Sequence, residues 1–508
     1  MNSEKTEIKE LNGEDTSYDH VLKYTGVFGG VQVLAMLVSM LRNKLAAMWL
    51  SRAGMGFYMI YSNIASLVSS TSNAGIPFSA VKNISELYEN SSAQQVEAYI
   101  VTVRSWSLWT AFFGALLCVL MAPFISFFSF DGDWGYTLEV VLLAPMIFAT
   151  AITNGEISIL KGTRKLKCVA VVTAVSALLT LVSVLPFFYF WSFRGVIPAL
   201  VVNAVVIMLV HLHYSLKIYP WRVKLLSRDV LREGASMIKL GIPYVAASII
   251  NALTALAVPA VLFSLGGVED VGSYKVGYGL MVVYAGIVFV AVESDYFPRL
   301  SAVKDNVPRM NYAINQQIDI CVLFIAPLLL FMMLAMPFMI RILFTAEYLA
   351  VATMATLSAF YMFFRAIMLP IAYTSLAKGD TVVYLIMEIA YDVFSLALIA
   401  AGYYWGGITG TGAALSVASL LDVAMISVCY SRRYGFRFSP STVKLSMVQG
   451  VLLLVGLCLC LQGCAWVKYG CGLLVLLASL CYSLNILRKK TTVMVALKNK
   501  LLRKNSGE

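Results

Sequence analysis

Residues 32–50 read QVLAMLVSMLRNKLAAMWL, an apolar helical run that carries Arg42, Asn43 and Lys44 deep inside it. A run of this length crosses a hydrocarbon core. An ionisable side chain in such a core is costly, and it persists where it faces a bundle interior, a partner or a water-filled path. At about 100° per residue, Gln32, Ser39, Arg42 and Asn43 fall within an arc of roughly 100°, one polar stripe on an otherwise apolar helix. A helix facing lipid all round has no use for that stripe. Two readings follow: Arg42 lines a substrate or solvent cavity, or it makes a structural contact within the membrane. Lys44 lies off the stripe, nearer the helix end, where its stem either snorkels to the interface or turns to the cavity.

Similar runs recur along all 508 residues, of which 60% are hydrophobic and 13% charged, with a mean hydropathy of +0.81. Soluble domains do not have this composition. The chain reads as an all-α polytopic membrane protein with about 14 transmembrane helices. Hydropathy places them near 22–50, 57–82, 105–128, 137–160, 168–190, 196–216, 238–265, 273–298, 317–340, 350–377, 382–404, 408–430, 444–463 and 468–487. The net charge of +11 follows this layout. Of 38 Lys and Arg, Arg52, Arg194, Arg341 and Lys468 fall on one face and Arg42, Lys44, Lys275 and Arg365 inside spans; the rest gather on the face of the N-terminal tail. The positive-inside rule puts both termini in the cytoplasm, so the basic charge belongs to topology and not to nucleic-acid binding. The polar, acidic first twenty residues hold no cleavable signal peptide. The nine cysteines lack C-x-x-C pairing and read as small hydrophobes, and the three histidines form no metal site.

An internal repeat shows at a spacing near 216. Lys23 recurs as Lys239, Gly56-x-Tyr58 as Gly272-x-Tyr274, Lys161-Gly162 as Lys378-Gly379 and Tyr214-Ser215 as Tyr430-Ser431; Ser79–Lys82 matches Ser301–Lys304 at spacing 222. Six spans separate the copies, so the copies share one orientation and form two parallel six-helix lobes with a pseudo-two-fold along the membrane normal. The expected layout is a cytoplasmic tail (1–21), an N-lobe (22–236), a C-lobe (237–442), two further spans (443–487) and a basic cytoplasmic tail (488–508).

Within the second span, Asn63, Ser66, Ser70 and Asn73 share a face, before a kink expected at Gly75-Ile76-Pro77. They line the cavity or pack helices. Ser92 with Gln95 marks a capping box, expected to open a short amphipathic connector. In the second lobe, Lys275 shares a face with Glu293, while Glu293 and Asp295 lie near the inner end of their span. Across the hairpin turning at Gly379, Arg365 and Asp392 come to similar depth, and Glu388 and Asp392 share a face four residues apart. An intramembrane ion pair is one reading. The other is a proton or ion relay that includes Asp422.

The six-plus-six repeat, LRNKLAAMWLSRAGMGFY (Leu41–Tyr58) and SLGGVEDVGSYKVGYGL (Ser264–Leu280) together resemble the multidrug, oligosaccharidyl-lipid and polysaccharide exporter superfamily, and within it the Wzx-type and MurJ-like flippases. The resemblance covers nearly the whole chain. It implies a V-shaped transporter working by alternating access, with no enzymatic step and no cofactor. It further implies an undecaprenyl-diphosphate-linked oligosaccharide as substrate and the lipid bilayer and polysaccharide polymerase or assembly proteins as partners. Coupling to a proton or sodium gradient or to the membrane potential is compatible with it. Arg42 matches the cationic first-span position of such flippases. Lys44, Asn63, Asn73, Lys275 and Arg365 complete the expected binding set, with Glu388, Asp392 and Asp422 as coupling or ion-pair candidates. One Arg and one Lys in the first span depart from the several-arginine pattern of lipid II flippases, which favours O-antigen, capsule or exopolysaccharide repeat units. A multidrug antiporter of the same superfamily is the rival reading, opposed by the cations of the first span. A membrane glycan polymerase is another, opposed by the short external connections.

Overall fold

The structure is a computed structural model and describes residues 2–90, 92–224, 227–286, 289, 296, 299–301, 303–462 and 465–490; for residues 2–30, 32, 33, 89, 90, 166, 231, 236, 239–244, 246, 247, 381, 489 and 490 it describes the backbone alone. Glu293, Asp295 and the tail beyond 490 lie outside the described residues, as do the side chains of Lys23, Gln32 and Lys239. All the regular structure described is helical. Lipid offers the backbone no hydrogen bonds, so apolar runs of this kind satisfy their N–H and C=O groups internally.

The helices are α1 (Asn2–Ser72), α2 (Ile76–Asn90), α3 (Ala93–Ser129), α4 (Thr137–Val141), α5 (Ala144–Gly162), α6 (Leu166–Trp191), α7 (Val196–Leu216), α8 (Arg228–Gly266) and α9 (Val268–Tyr278). They continue as α10 (Val307–Leu343), α11 (Ala352–Leu357), α12 (Ala359–Ala377), α13 (Thr381–Tyr434), α14 (Pro440–Leu461) and α15 (Ala465–Lys490). Among the described residues nine stretches are long and apolar enough to cross a membrane. Two of these, Lys167–Leu216 and Val382–Tyr434, have room for two crossings each. The first is turned at Ser192–Gly195 and the second at Gly406–Gly407. With α1 broken at Ser51 into two arms, the described helices fall on the expected spans; much of the eighth, 273–298, lies outside the described residues.

Two local expectations are corrected. The second span does not kink and continue; it stops at Ser72 and restarts at Ile76. Ala74 and Gly75 take positive φ between them, and the Asn73 side-chain oxygen accepts the Gly75 N–H at 2.9 Å. The Ser92–Gln95 capping box does form, but it opens the 37-residue α3 and not a separate short segment. The amphipathic connector is α2. Ile76, Ala80 and Ile84 pack on Val96, Ile100 and Val103, while Lys82 and Glu86 stay exposed.

Helix lengths recur along the chain. Both α3 and α10 have 37 residues, and both α5 and α12 have 19. Backbone signs recur as well: Ser51 (φ 60) and Gly267 (φ 83), Arg164 (φ 55) and Gly379 (φ 75), Ser192 (φ 50) and Gly407 (φ 55) occupy matching turns. The turn that ends at Gly379 therefore matches Arg164, so Gly162 aligns with Ala377 and not with Gly379. Each first-copy turn uses a residue with a Cβ where the second copy uses glycine.

By packing, the chain divides into Met1–Gly272 and Ser273–Glu508. The first unit includes α8, because Trp106 Nε1 of α3 donates to the Val230 carbonyl at 2.9 Å and Thr102 to Glu233 at 2.9 Å. Its interior holds a full ion pair that sequence reading missed. Arg104, at 1% exposure, meets Glu156 through Nε (2.8 Å) and Nη2 (3.0 Å), and its remaining donors reach the Pro220 carbonyl and Ser215. The guanidinium also lies 5.2 Å from the Trp221 ring centroid. It thereby ties α3, α5, α7 and the connection after α7 together. The signal was Glu156 in the apolar fourth span, with an arginine at matching depth one hairpin earlier.

In the second unit the corresponding end is tied by Tyr430, whose hydroxyl donates to Ser375 Oγ at 2.7 Å. Outside the spans, Asp380 accepts from Arg433 at 2.7 and 2.9 Å and from Tyr434 at 2.8 Å. The last two helices, apolar in sequence, share a buried clasp in which Ser479 donates to Gln449 (2.6 Å) and Gln449 to Ser483 (2.8 Å).

Removing one member of the Arg104–Glu156 pair strands a buried charge. Arg104→Met is expected to destabilise the protein by about 3–5 kcal/mol, and Arg104→Met combined with Glu156→Leu to recover most of that; thermal unfolding in detergent compares the two. Arg433, then Tyr434, holds the Asp380 carboxyl below its ordinary range. A depressed folded value means stability that is present at neutral pH and is lost as pH falls through that value. Melting temperatures of the native protein and Asp380→Asn should therefore converge on acidification below about pH 4.

Candidate functional site

Beyond the Arg104–Glu156 pair, each unit carries charge on helices read from the sequence as spans. In the first unit this is Arg42, on the first arm of α1. Leu34, Leu37, Leu41 and Met48 form an exposed stripe on that arm, whereas Ala46, Ala47 and Leu50 are buried. Arg42 is half-buried between them. Its Nη2 donates to Ser39 Oγ and to Asn43 Oδ1, each at 3.3 Å. Two members of the stripe read from the sequence, Ser39 and Asn43, thus meet the guanidinium, and both are neutral. Among the described residues Arg42 forms no ion pair with a carboxylate. Lys44 is also half-buried.

The second arm uses its amides structurally. Asn63 Nδ2 donates to the Ala255 carbonyl of α8 at 2.6 Å, and Asn73 closes the turn described above. Ser66 is exposed and Ser70 half-buried on the same face.

The second unit brings Arg365, Glu388, Asp392 and Asp422 into one cluster. Arg365 stands on α12, Glu388 and Asp392 one turn apart on the first arm of α13, and Asp422 on its second arm at 3% exposure. The carboxyl groups lie within electrostatic reach of one another and of the guanidinium. Arg365 makes its direct hydrogen bond to the Tyr361 hydroxyl, at 2.6 Å, and not to a carboxylate. Tyr278 and Tyr391 flank the same guanidinium, and Tyr384 hydrogen bonds Glu388. The tyrosines were missed in the sequence. Their signal was spacing: Tyr361 precedes Arg365, and Tyr384 precedes Glu388, by the four residues that stack side chains on one helix face.

The helix passes from α9 into a π-helical turn, Gly279–Val283, directly after Tyr278. Lys275 lies on α9 before Tyr278 and is half-buried. With three carboxyl groups around one guanidinium, full ionisation would leave the cluster net negative in a medium of low dielectric constant. It can do one of two things chemically: retain protons or attract a cation. Among the described residues no group of His, Cys, Asp and Glu has the arrangement of a metal site.

A family model described as "Polysaccharide biosynthesis protein" matches residues 50–353. No curated protein matches the sequence. Among solved structures, the lipid II flippase MurJ in an inward closed conformation is similar with a TM-score of 0.66 at 14% identity, over 91% of this chain and 98% of that one. An inward-facing multidrug resistance MATE family transporter of the MOP superfamily also reaches 0.66 at 14% identity, over 79% and 94%. A MOP superfamily transporter from Pyrococcus furiosus, described as having a binding pocket of reverse polarity, scores 0.53 at 15% identity, over 80% and 96%. At these identities the likeness carries the fold: the helices are arranged as in this superfamily of multi-pass membrane transporters.

The Tyr361 hydroxyl is the direct anchor of Arg365, so Tyr361→Phe should cost about 1.5–3 kcal/mol, as expected for a hydrogen bond to a charged group. Thermal unfolding measures this, and a variant as stable as the native protein would show that the guanidinium is held by other contacts.

Proposed function

Because this chain belongs to the polysaccharide biosynthesis protein family, we propose that it turns polyprenyl-diphosphate-linked oligosaccharide repeat units over from one leaflet of the bacterial cytoplasmic membrane to the other. It acts as a transporter and not as an enzyme, with both termini in the cytoplasm. The observation that carries this reading is Arg42: a guanidinium on the first expected span whose hydrogen bonds among the described residues go to neutral groups, Ser39 and Asn43. A diphosphate head group loses its hydration on entering a low-dielectric core, and a fixed cation with planar donors replaces part of it. Lys44 adds to the same field.

Two further points support a lipid-linked substrate over a cationic drug. A cation in the first span repels that drug class. The MurJ likeness also extends over more of the chain than the MATE likeness, 91% against 79%. Asn, Ser and Tyr side chains suit sugar hydroxyls. The single arginine of the first span favours O-antigen, capsule or exopolysaccharide units over lipid II, and polymerase or assembly proteins would take the product. We assign coupling to the Arg365–Glu388–Asp392–Asp422 cluster, which would exchange a proton or sodium ion as the substrate moves.

The test is glycolipid turnover in inverted vesicles from a flippase-null strain, at equal protein levels. Arg42→Ala should lower the rate at least about tenfold, the effect of losing one charged contact of about 1.4 kcal/mol or more, whereas Arg42→Lys keeps most of it. Equal rates in all variants would remove the fixed-cation mechanism. Movement of cationic drugs alone would establish the antiporter reading instead.

A further inference from the structure

Two hairpin turns at matching positions of the repeat touch one another reciprocally. In one direction, a Cβ placed on Gly56 would run into the carbonyl of Val268; in the other, a Cβ on Gly272 would run into the carbonyl of Arg52. Arg52 and Val268 stand 216 residues apart, and so do Gly56 and Gly272. Each turn therefore presents the same glycine to the same carbonyl of the other, the signature of a contact about a two-fold axis. A single ion pair breaks the symmetry: Arg52 Nη2 reaches Glu269 Oε2 at 3.2 Å, and the position matching Glu269 is Ala53.

The backbone at the apex of the two turns is also the same, and only one copy tolerates it. Ser51 has φ 60 and ψ −178, and Gly267 has φ 83 and ψ −179. Positive φ with ψ near 180° is essentially a glycine region. A side chain persists there only where its surroundings force it. The surroundings of Ser51 are identifiable: Ser192 Oγ donates to the neighbouring Trp49 carbonyl at 3.0 Å, and the next residue is Arg52, held by Glu269 and Gly272.

We propose that these turns form a spring-loaded latch, in which the reciprocal glycine contact and the Arg52–Glu269 pair hold the closed conformation while the strain at Ser51 favours release. Parting the turns removes what holds Ser51 in its glycine conformation, so the strain is discharged on opening. Placing serine in one copy and glycine in the other makes the closed contact weaker than two glycines would. The latch keeps this end of the fold shut without a deep energy well. Its purpose rests on the transport reading; its existence does not.

Hydrogen–deuterium exchange of the full-length protein in lipid nanodiscs tests the latch without substrate, because exchange of the turn amides reports the open population. The informative segment is 264–273, across the contact from the substituted residue. In Ser51→Gly, exchange of this segment should slow on the order of tenfold as the strain is removed, and in Gly56→Ala it should speed up. Should Gly56→Ala fail to fold, Ser51→Gly decides alone, since it only deletes side-chain atoms. Unchanged exchange at 264–273 in Ser51→Gly overturns the proposal.

A second arm joins Arg52→Cys to Glu269→Cys with a short, reducible bifunctional thiol reagent in vesicles, each single variant serving as control. Polyprenyl-diphosphate glycolipid turnover should stop on cross-linking and return on reduction. Continued turnover in the cross-linked protein overturns the latch. No turnover even after reduction, alongside the slowed exchange in Ser51→Gly, supports the latch and counts against the transport reading.

Discussion

A charge within this fold must replace the hydration it gives up, and the helices meet that requirement in three ways. Arg104 is answered in full: two bonds to Glu156, a carbonyl, a hydroxyl and an indole face leave it structural. Arg365 is answered from several sides at once by tyrosines and by more carboxyl groups than its charge requires. Among the described residues Arg42 is answered by a serine and an asparagine of its own helix. The first arrangement stabilises; under the proposed function the second would exchange protons or cations and the third would meet something anionic. These three states of one side-chain type separate scaffold from mechanism more sharply than burial alone would.

The repeat organises the rest. Its clearest trace lies in the backbone signs at the turns, where left-handed residues recur although the side chains differ. Two copies of one hairpin plan bring equivalent turns into register. The close reciprocal packing of Gly56 and Gly272 is then a consequence of symmetry. Departures from it, serine for glycine at residue 51 and an acid at 269 without a counterpart, are where function can be tuned. Hinges and latches belong at such places, because a strained turn has somewhere to go.

Much of this was readable in the amino-acid pattern. Apolar runs of membrane length dictate helices, and the polar stripe around Arg42 follows from helical spacing alone. Arg365 and Asp392 could be brought to one depth by counting residues from the Gly379 turn, with Glu388 on the same face as Asp392 and Asp422 named as a relay candidate on the next span. What was not readable depends on tertiary register. Arg104 sits at a span boundary, where a sequence argument counts it as one more interfacial cation, and only the hairpin geometry brings it onto Glu156. Tyr361 passes for an ordinary aromatic until a guanidinium is found above it. Asn63 and Asn73 share a face with apparent cavity residues, yet each holds a backbone group. A helical wheel cannot tell these uses apart.

The central claim is that a fixed positive charge in the first span answers the negative charge of a lipid-linked head group. Reconstituted, purified protein offers the most direct check: turnover of a polyprenyl-diphosphate oligosaccharide beside that of the same oligosaccharide on an uncharged polyprenyl glycoside. The account predicts that the diphosphate lipid moves and the neutral one does not, with the difference abolished in Arg42→Ala. Equal turnover of both lipids by the native protein would contradict it.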